Sequence, residues 1–242
     1  MKYLGLVLFS AFGAFCAYWG VVFLIRGEFL TALPVLAFGV SWFGVAAMGM
    51  RTSRGRVTAR TEFDNAGTTI RPDRVVDQLS RLVLAGGVVA VALFAVLAPV
   101  GLLAIPIPRV QRFALPVVAA ITAVMGAVML WRNIRQGSLS YLRLTPSGFE
   151  FGGGLSTMRG DWSAVKGVTD TQPGARNLTA SAIVVKMPDR KVRTVASTGS
   201  YTADADALRD MVRFYWQRPE ARSELTTGAA STRLSPSGFR GD

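Results

Sequence analysis

The chain has 242 residues, half of them hydrophobic and only 17% charged, with no histidine, one cysteine and a net charge of +12. A soluble domain carries about 25% charged residues. The composition excludes a histidine-based triad, a histidine-ligated metal, a disulfide framework and a thiolate zinc cluster. A basic, apolar chain of this kind fits a membrane protein with a positively charged soluble part. Four uncharged runs occur in chain order, at 3–25, 29–50, 82–105 and 113–131. About 20 helical residues cross a hydrocarbon core of about 30 Å, so each run is long enough to span. The first run is too long for the apolar part of a signal peptide, which covers about 7–15 residues. Phe15 is too large to precede a lipidated cysteine, so Cys16 reads as a small apolar helix residue.

Between the second and third runs lies a segment rich in arginine, 51–81. Lys2, the seven arginines of that segment and the sixteen basic residues of 132–242 fall on one side of four spans. Arg26, Arg109 and Arg112 fall on the other. The excess of Lys and Arg beside the spans predicts that the N-terminus, the middle segment and the tail are cytoplasmic, in a multi-pass protein of the inner (plasma) membrane.

The order of two spans and a soluble segment occurs twice. In the middle segment, 63–70 reads strand, turn, strand, and 144–151 in the tail reads the same way. Both carry a glycine at the end of the turn, Gly67 and Gly148, where a positive φ costs least. Offsets of similar length relate the spans as well, which fits a tandem repeat of a two-helix unit. The competing explanation is that turn chemistry recurs by itself.

The tail predicts an α+β fold. A hairpin covers 138–144 and 149–152, and Gly152-Gly153-Gly154 reads as a flexible break. That break lacks the Gly-Lys-Ser/Thr ending of a phosphate loop. Further strands are predicted over 161–171, 179–187 and 192–197, with a turn at 188–191. A helix follows, with Thr202 as its cap and Asp204 and Asp206 at its positive end. Leu208, Met211, Val212 and Tyr215 share one face of it, and Pro219 stops it near Gln217. Residues 220–225 add a short turn, and 226–242 reads as a disordered tail from its Thr, Gly, Ala, Ser and Arg content. The divisions are therefore 1–50 (first helix pair), 51–81 (basic hairpin segment), 82–131 (second helix pair), 132–225 (soluble α+β domain) and 226–242 (tail).

Three stretches carry a resemblance. They are Leu144-Thr145-Pro146-Ser147-Gly148-Phe149, Asp161-Trp162-Ser163-Ala164-Val165, and the ending Phe214-Tyr215-Trp216-Gln217-Arg218-Pro219-Glu220-Ala221-Arg222-Ser223-Glu224-Leu225. Together with strands closed by one amphipathic helix, they resemble the pleckstrin-homology-like cytosolic domains of small actinobacterial membrane proteins. The resemblance implies a membrane four-helix bundle plus a pleckstrin-homology-like domain, with the hairpin near 57–71 as a source of further strands. The whole plan is also similar to the mycobacterial lipid uptake coordinators that accompany lipid importers of the MCE type. That similarity implies an accessory subunit of a lipid importer.

No catalytic constellation is evident. General acid–base work uses a titratable group poised in a pocket, and the four uncharged runs hold none. Asp161 beside Trp162 reads as a turn residue. An ion-coupled transporter keeps ionisable groups at membrane depth, which also argues against that class. The spans carry small residues at four-residue spacing: Gly13 and Ala17, Ala37 and Ser41, and Ala119, Ala123 and Ala127. These suit close helix packing, in the bundle or against a partner; general richness in small residues is the plainer explanation.

Arg51, Arg54, Arg56, Arg60, Arg132 and Arg135 flank the spans. They are placed to contact anionic headgroups at about 1 kcal/mol each, or act only as topology determinants. Lys186, Arg190, Lys191 and Arg193 form a basic hairpin tip, either a headgroup or partner contact or a solvated turn. No platform of aromatic and basic residues points to nucleic acid. The expected function is thus a non-enzymatic membrane accessory or scaffold subunit without a cofactor. Its partners are membrane lipids and other membrane subunits. A free-standing pleckstrin-like sensor and a small transporter are the alternatives.

Overall fold

A computed structural model describes residues 2–104, 111, 113–169, 183–187, 192–195 and 198–234. The chain divides into two compact units. Met1–Ser53 and Asp77–Leu139 form a helical unit; Arg54–Val76 and Ser140–Asp242 form a strand-rich one.

Four long apolar helices make the first unit: α1 (Lys2–Ile25), α2 (Phe29–Ser53), α3 (Arg74–Val100) and α4 (Ala114–Gln136). All four are long and apolar enough to cross a membrane, which marks a multi-pass membrane protein. The third helix starts eight residues before its uncharged run, and the fourth outlasts its run by five. Helical hydrogen bonding does not end where charge begins, so both helices extend past their uncharged runs.

α1 and α2 lie against each other along much of their length. A Cβ added to Gly39 would meet the Cβ of Cys16 at 3.1 Å, so hydrogen-only side chains let the two backbones approach. Nearer one end, Phe9 stacks on Trp42 at 5.4 Å and Phe12 meets Trp42 edge-on at 5.2 Å. α2 crosses α3 at Gly86, where an added Cβ would lie 2.6 Å from the Ser41 hydroxyl oxygen. That hydroxyl faces both the Ala37 and the Val83 carbonyls, at 3.2 and 3.1 Å. The Thr31 hydroxyl also accepts the Ala104 N–H at 3.0 Å, tying the start of α2 to the chain after α3.

The strand-rich unit contains a five-stranded antiparallel sheet in the order β1 (Arg60–Asp64), β2 (Gly67–Arg71), β3 (Ser140–Leu144), β4 (Gly148–Gly153) and β5 (Ser156–Asp161). β6 (Gly167–Thr169), β7 (Ile183–Lys186) and β8 (Val192–Val195) form a second sheet. The middle hairpin and the tail are thus one domain, with Ile70 opposite Leu142. Alternation separates the faces. Ile70, Leu142, Phe151 and Met158 form one cross-strand row, and Glu62, Thr69, Arg143, Glu150 and Arg159 the other. The apolar row joins Val168, Ile183 and Val185 and the stripe Leu208, Met211, Val212 and Tyr215 of α5 (Ala205–Gln217) in one core.

Several expectations are corrected. Gly148 has no positive φ, whereas Gly67 does at 154°. Both positions exclude a side chain sterically: an added Cβ would lie 2.3 Å from the Gly160 carbonyl oxygen and 2.2 Å from that of Leu144. The triple glycine is not a break, because Gly152 and Gly153 belong to β4. Of the strand expected over 161–171, the described residues form it only at Gly167–Thr169 (β6), because β5 ends at Asp161 and Trp162–Ala164 is a 3-10 turn. The reason is the buried indole, whose Nε1–H donates to the Thr145 carbonyl at 2.8 Å; a buried Trp N–H needs such an acceptor. Asp204, not Thr202, caps α5, accepting the N–H groups of Asp206 and Ala207.

The expected disordered tail is structured through Leu234. Pro219–Thr226 is a 3-10 helix and α6 (Ala229–Arg233) follows. Ala230 is fully buried, and Arg233 reaches Glu224 at 2.7 Å while lying 4.4 Å over the Phe214 ring. Polar composition had concealed these anchors. The predicted turn at 188–191, with Arg190 and Lys191, lies outside the described residues, as do Arg109, Arg112 and 235–242.

Candidate functional site

Asp73 precedes α3, and Asp77 and Arg81, four residues apart in its opening turns, share one helix face. Asp73 sits in the strand-rich unit and caps the helix. Its Oδ1 accepts the Val75 and Val76 N–H groups at 2.9 and 3.2 Å. Its Oδ2 accepts the Thr58 N–H at 3.3 Å and the Thr58 hydroxyl at 3.2 Å. A buried carboxylate is tolerable only when its lone pairs are met in this way.

Asp77 and Arg81 belong to the helical unit. Asp77 is 3% exposed and accepts the Ser138 hydroxyl at 3.0 Å and the Leu139 N–H at 3.3 Å. Arg81 donates from Nε to Asn133 Oδ1 at 3.1 Å and from Nη2 to the Gly137 carbonyl at 2.8 Å. Gly137 is the left-handed cap of α4, so the guanidinium rests at the helix's negative end, where a cation is favoured. The Ser80 hydroxyl lies 3.5 Å from the Met48 sulfur of α2. Polar groups thus join α3 to α4 where the uncharged runs begin and end.

Sequence reasoning missed this joint. It began the third span at Leu82 and left Asp77 and Arg81 in a connecting segment. The available signal was Pro72-Asp73 as a helix start, followed by Val76, Leu79 and Val83 at helical spacing.

The six flanking arginines are divided between the units. Arg51, Arg132 and Arg135 lie in the helical unit, and Arg54, Arg56 and Arg60 in the strand-rich one. Arg54 and Arg56 are exposed. Arg60 donates from Nε to the Pro72 carbonyl at 3.0 Å, bracing the base of its hairpin. Arg135 lies 4.8 Å over the Trp131 ring. Among the small residues, Gly13 and Ala17 face α2, while Ala37 and Ser41 face Gly86 of α3. Ala119 is buried and Ala123 half-buried, but Ala127 is exposed. The expected stripe fails there because the packing face of α4 drifts to Gly126, where an added Cβ would lie 2.7 Å from Val88.

The outer face of the five-stranded sheet carries paired charges. Arg143 binds Asp64 at 2.6 Å, Arg71 binds Glu62 at 3.3 Å, and Arg159 binds Glu150 at 2.8 Å. Backbone donation from Ala66, reinforced by Arg143, holds the Asp64 carboxyl below its ordinary range despite some desolvation. Burial pushes Glu150 up, but hydrogen bonds from Tyr141 and Arg159 outweigh it and the net shift is downward. Lys186 is half-buried at the end of β7. Asp161 is exposed at the end of β5. Among the described residues, no group of three His, Cys, Asp or Glu is placed to hold a metal ion. No family model, no curated protein and no solved structure matches the chain.

Proposed function

We propose that this chain is a non-enzymatic accessory or scaffold subunit of a transport complex in the plasma membrane, and that the complex is a lipid importer of the MCE type. The observation that carries the scaffold reading is topological. α3 and α4 are inserted between β2 and β3, which are neighbours in one sheet. The soluble fold therefore closes only when the helix pair returns to the side from which it left. The sheet is thereby tied to the helix pair by two covalent connections, which suits a scaffold.

The lysine and arginine bias supports a cytoplasmic placement of the sheet and of both termini. Two antiparallel sheets closed by one amphipathic helix support the pleckstrin-homology-like reading of the soluble domain. The lipid-import assignment rests on the similarity of whole-chain plan to lipid uptake coordinators. Exposed Arg54 and Arg56 favour a second reading, a free-standing protein whose soluble domain contacts headgroups or a cytosolic partner.

The deciding experiment is co-purification in mild detergent together with measurement of lipid uptake in cells lacking the chain. A scaffold brings down stoichiometric membrane subunits, and its loss lowers both their level and uptake. Unchanged transporter levels and unchanged uptake rule out the lipid-import role and leave the free-standing reading.

A further inference from the structure

Asn133 in the last turns of α4 is 1% exposed, and its Nδ2 has no acceptor among the described residues. The orientation of this amide follows from Arg81, whose Nε–H points at Oδ1; the reversed amide would set donor against donor. Arg81 uses Nε and one Nη2 hydrogen, leaving Nη1 without an acceptor among the described residues. Two neighbouring side chains therefore present unmet N–H groups at one place. An unmet buried donor is costly enough to need an explanation.

The location narrows the missing acceptor. Arg81 immediately precedes the uncharged run that starts at Leu82. Trp131, two residues before Asn133 on α4, is exposed with the Arg135 guanidinium over its ring; tryptophan prefers the boundary between hydrocarbon and headgroups. Arg81 and Asn133 thus lie at headgroup depth. An acceptor there with several oxygens and a negative charge is a phosphate group, which matches a guanidinium fork.

We infer that Arg81 and Asn133 form a subsite for the phosphate of an anionic phospholipid, between α3 and α4. Arg81 is half-exposed and offers Nη1 first. A small rotation about the Asn133 Cβ–Cγ bond, a soft torsion, tilts Nδ2 toward a second phosphate oxygen while Oδ1 stays with the Arg81 Nε–H. The Arg81 contact to Gly137 persists, so the lipid is added to the joint without dismantling it. The site does not depend on whether the chain serves a transporter.

The test uses the full chain in nanodiscs of phosphatidylcholine alone or mixed with phosphatidylglycerol, with retained lipid counted by native mass spectrometry. The wild type should retain phosphatidylglycerol in preference to phosphatidylcholine. Asn133→Asp is the decisive variant: it keeps an acceptor for Arg81, so the fold survives, but it repels phosphate. It should lower the preference about tenfold, the scale of losing hydrogen bonds to a charged group, with no fall in thermal midpoint. Arg81→Gln should lose the preference as well, while Arg159→Gln on the sheet should keep it. Excess inorganic phosphate separates the sources. Displacement of the lipid would show that the phosphate group alone is held, and no displacement that the lipid as a whole is. Wild-type retention by Asn133→Asp overturns the inference.

Discussion

α1 and α2 meet through missing side chains and stacked rings, whereas α3 and α4 meet through hydrogen bonds at one end. Both pairs are apolar and uncharged through their spans, yet the share of buried residues is smaller in α3 and α4. In lipid the hydrophobic effect does not drive helices together, so close backbone approach and interhelical hydrogen bonds must do it. The first pair relies on the former, at Gly13, Gly20 and Gly39. The second relies on Asp77, Arg81, Asn133 and Ser138, with one close approach at Gly126. Two helix pairs of similar length and composition need not share a packing mode, because packing depends on which few positions are small.

The largest effect should come from filling the closest approach in the first pair. Gly39→Leu places a branched chain where even a Cβ is tight against Cys16 and near the Gly13 carbonyl. Overpacking of this kind costs about 1–3 kcal/mol, and the upper end applies where backbone blocks relief. Tryptophan emission during unfolding in detergent should report it through the ring cluster around Trp42. A midpoint equal to wild type would show that the two helices separate freely there.

Next comes the polar joint. Asp77→Ala removes the acceptor of the Ser138 hydroxyl and the Leu139 N–H, both held in buried or half-buried positions. Stranding such donors costs about 1–3 kcal/mol. Amide exchange at Leu139 should accelerate, while α1 and α2 stay protected. Acceleration throughout α1 and α2 would mean that the pairs are not independently held.

The membrane runs were legible because they need only length and the absence of charge. The sheet was half legible: alternation exposed the hairpins, but not the pairing of β2 with β3 across the intervening helices. Pairing is a long-range choice set by core closure. The joint was illegible for a related reason. Asp77 and Arg81 look like solvated linker residues until Ser138 and Asn133, over fifty positions away, are brought beside them. Likewise the tail after Thr226 has the composition of disorder, and contacts such as Glu224–Arg233, Arg233 over the Phe214 ring and buried Ala230 hold it through Leu234.

The Glu224–Arg233 contact makes the strand-rich unit sensitive to acid. The Arg233 hydrogen bond, helped by the Arg233 charge and by Tyr215, holds the Glu224 carboxyl below its ordinary range against partial desolvation. The neighbouring Tyr215 phenol is pushed up, first by burial and then by the Glu224 charge. Because the folded-state value for Glu224 is depressed, its stabilisation is full above the unfolded glutamate pKa of about 4.3. It is lost as pH falls through the lower folded value. Glu224→Gln should cost on the order of 1 kcal/mol at neutral pH. The gap from wild type should close under acid, as read by amide exchange in Pro219–Thr226. A gap that is constant with pH would assign the loss to packing instead.

The smallest expected effect separates bundle packing from partner packing. Ala127 is exposed on α4, next to the inward-facing Gly126. Leucine at 127 meets lipid in the isolated protein, so stability should change by less than about 0.5 kcal/mol, as for a substitution that touches nothing. Gly126→Leu, one residue away, should cost more because even a Cβ there crowds Val88. If a transporter subunit docks on the outer face of α4, Ala127→Leu should weaken co-purification while the purified protein unfolds at the wild-type midpoint. That combination marks a face used only in a complex. An unaltered complex would move the docking surface off this face of α4, and a lowered midpoint would mean that Ala127 packs within the helical unit.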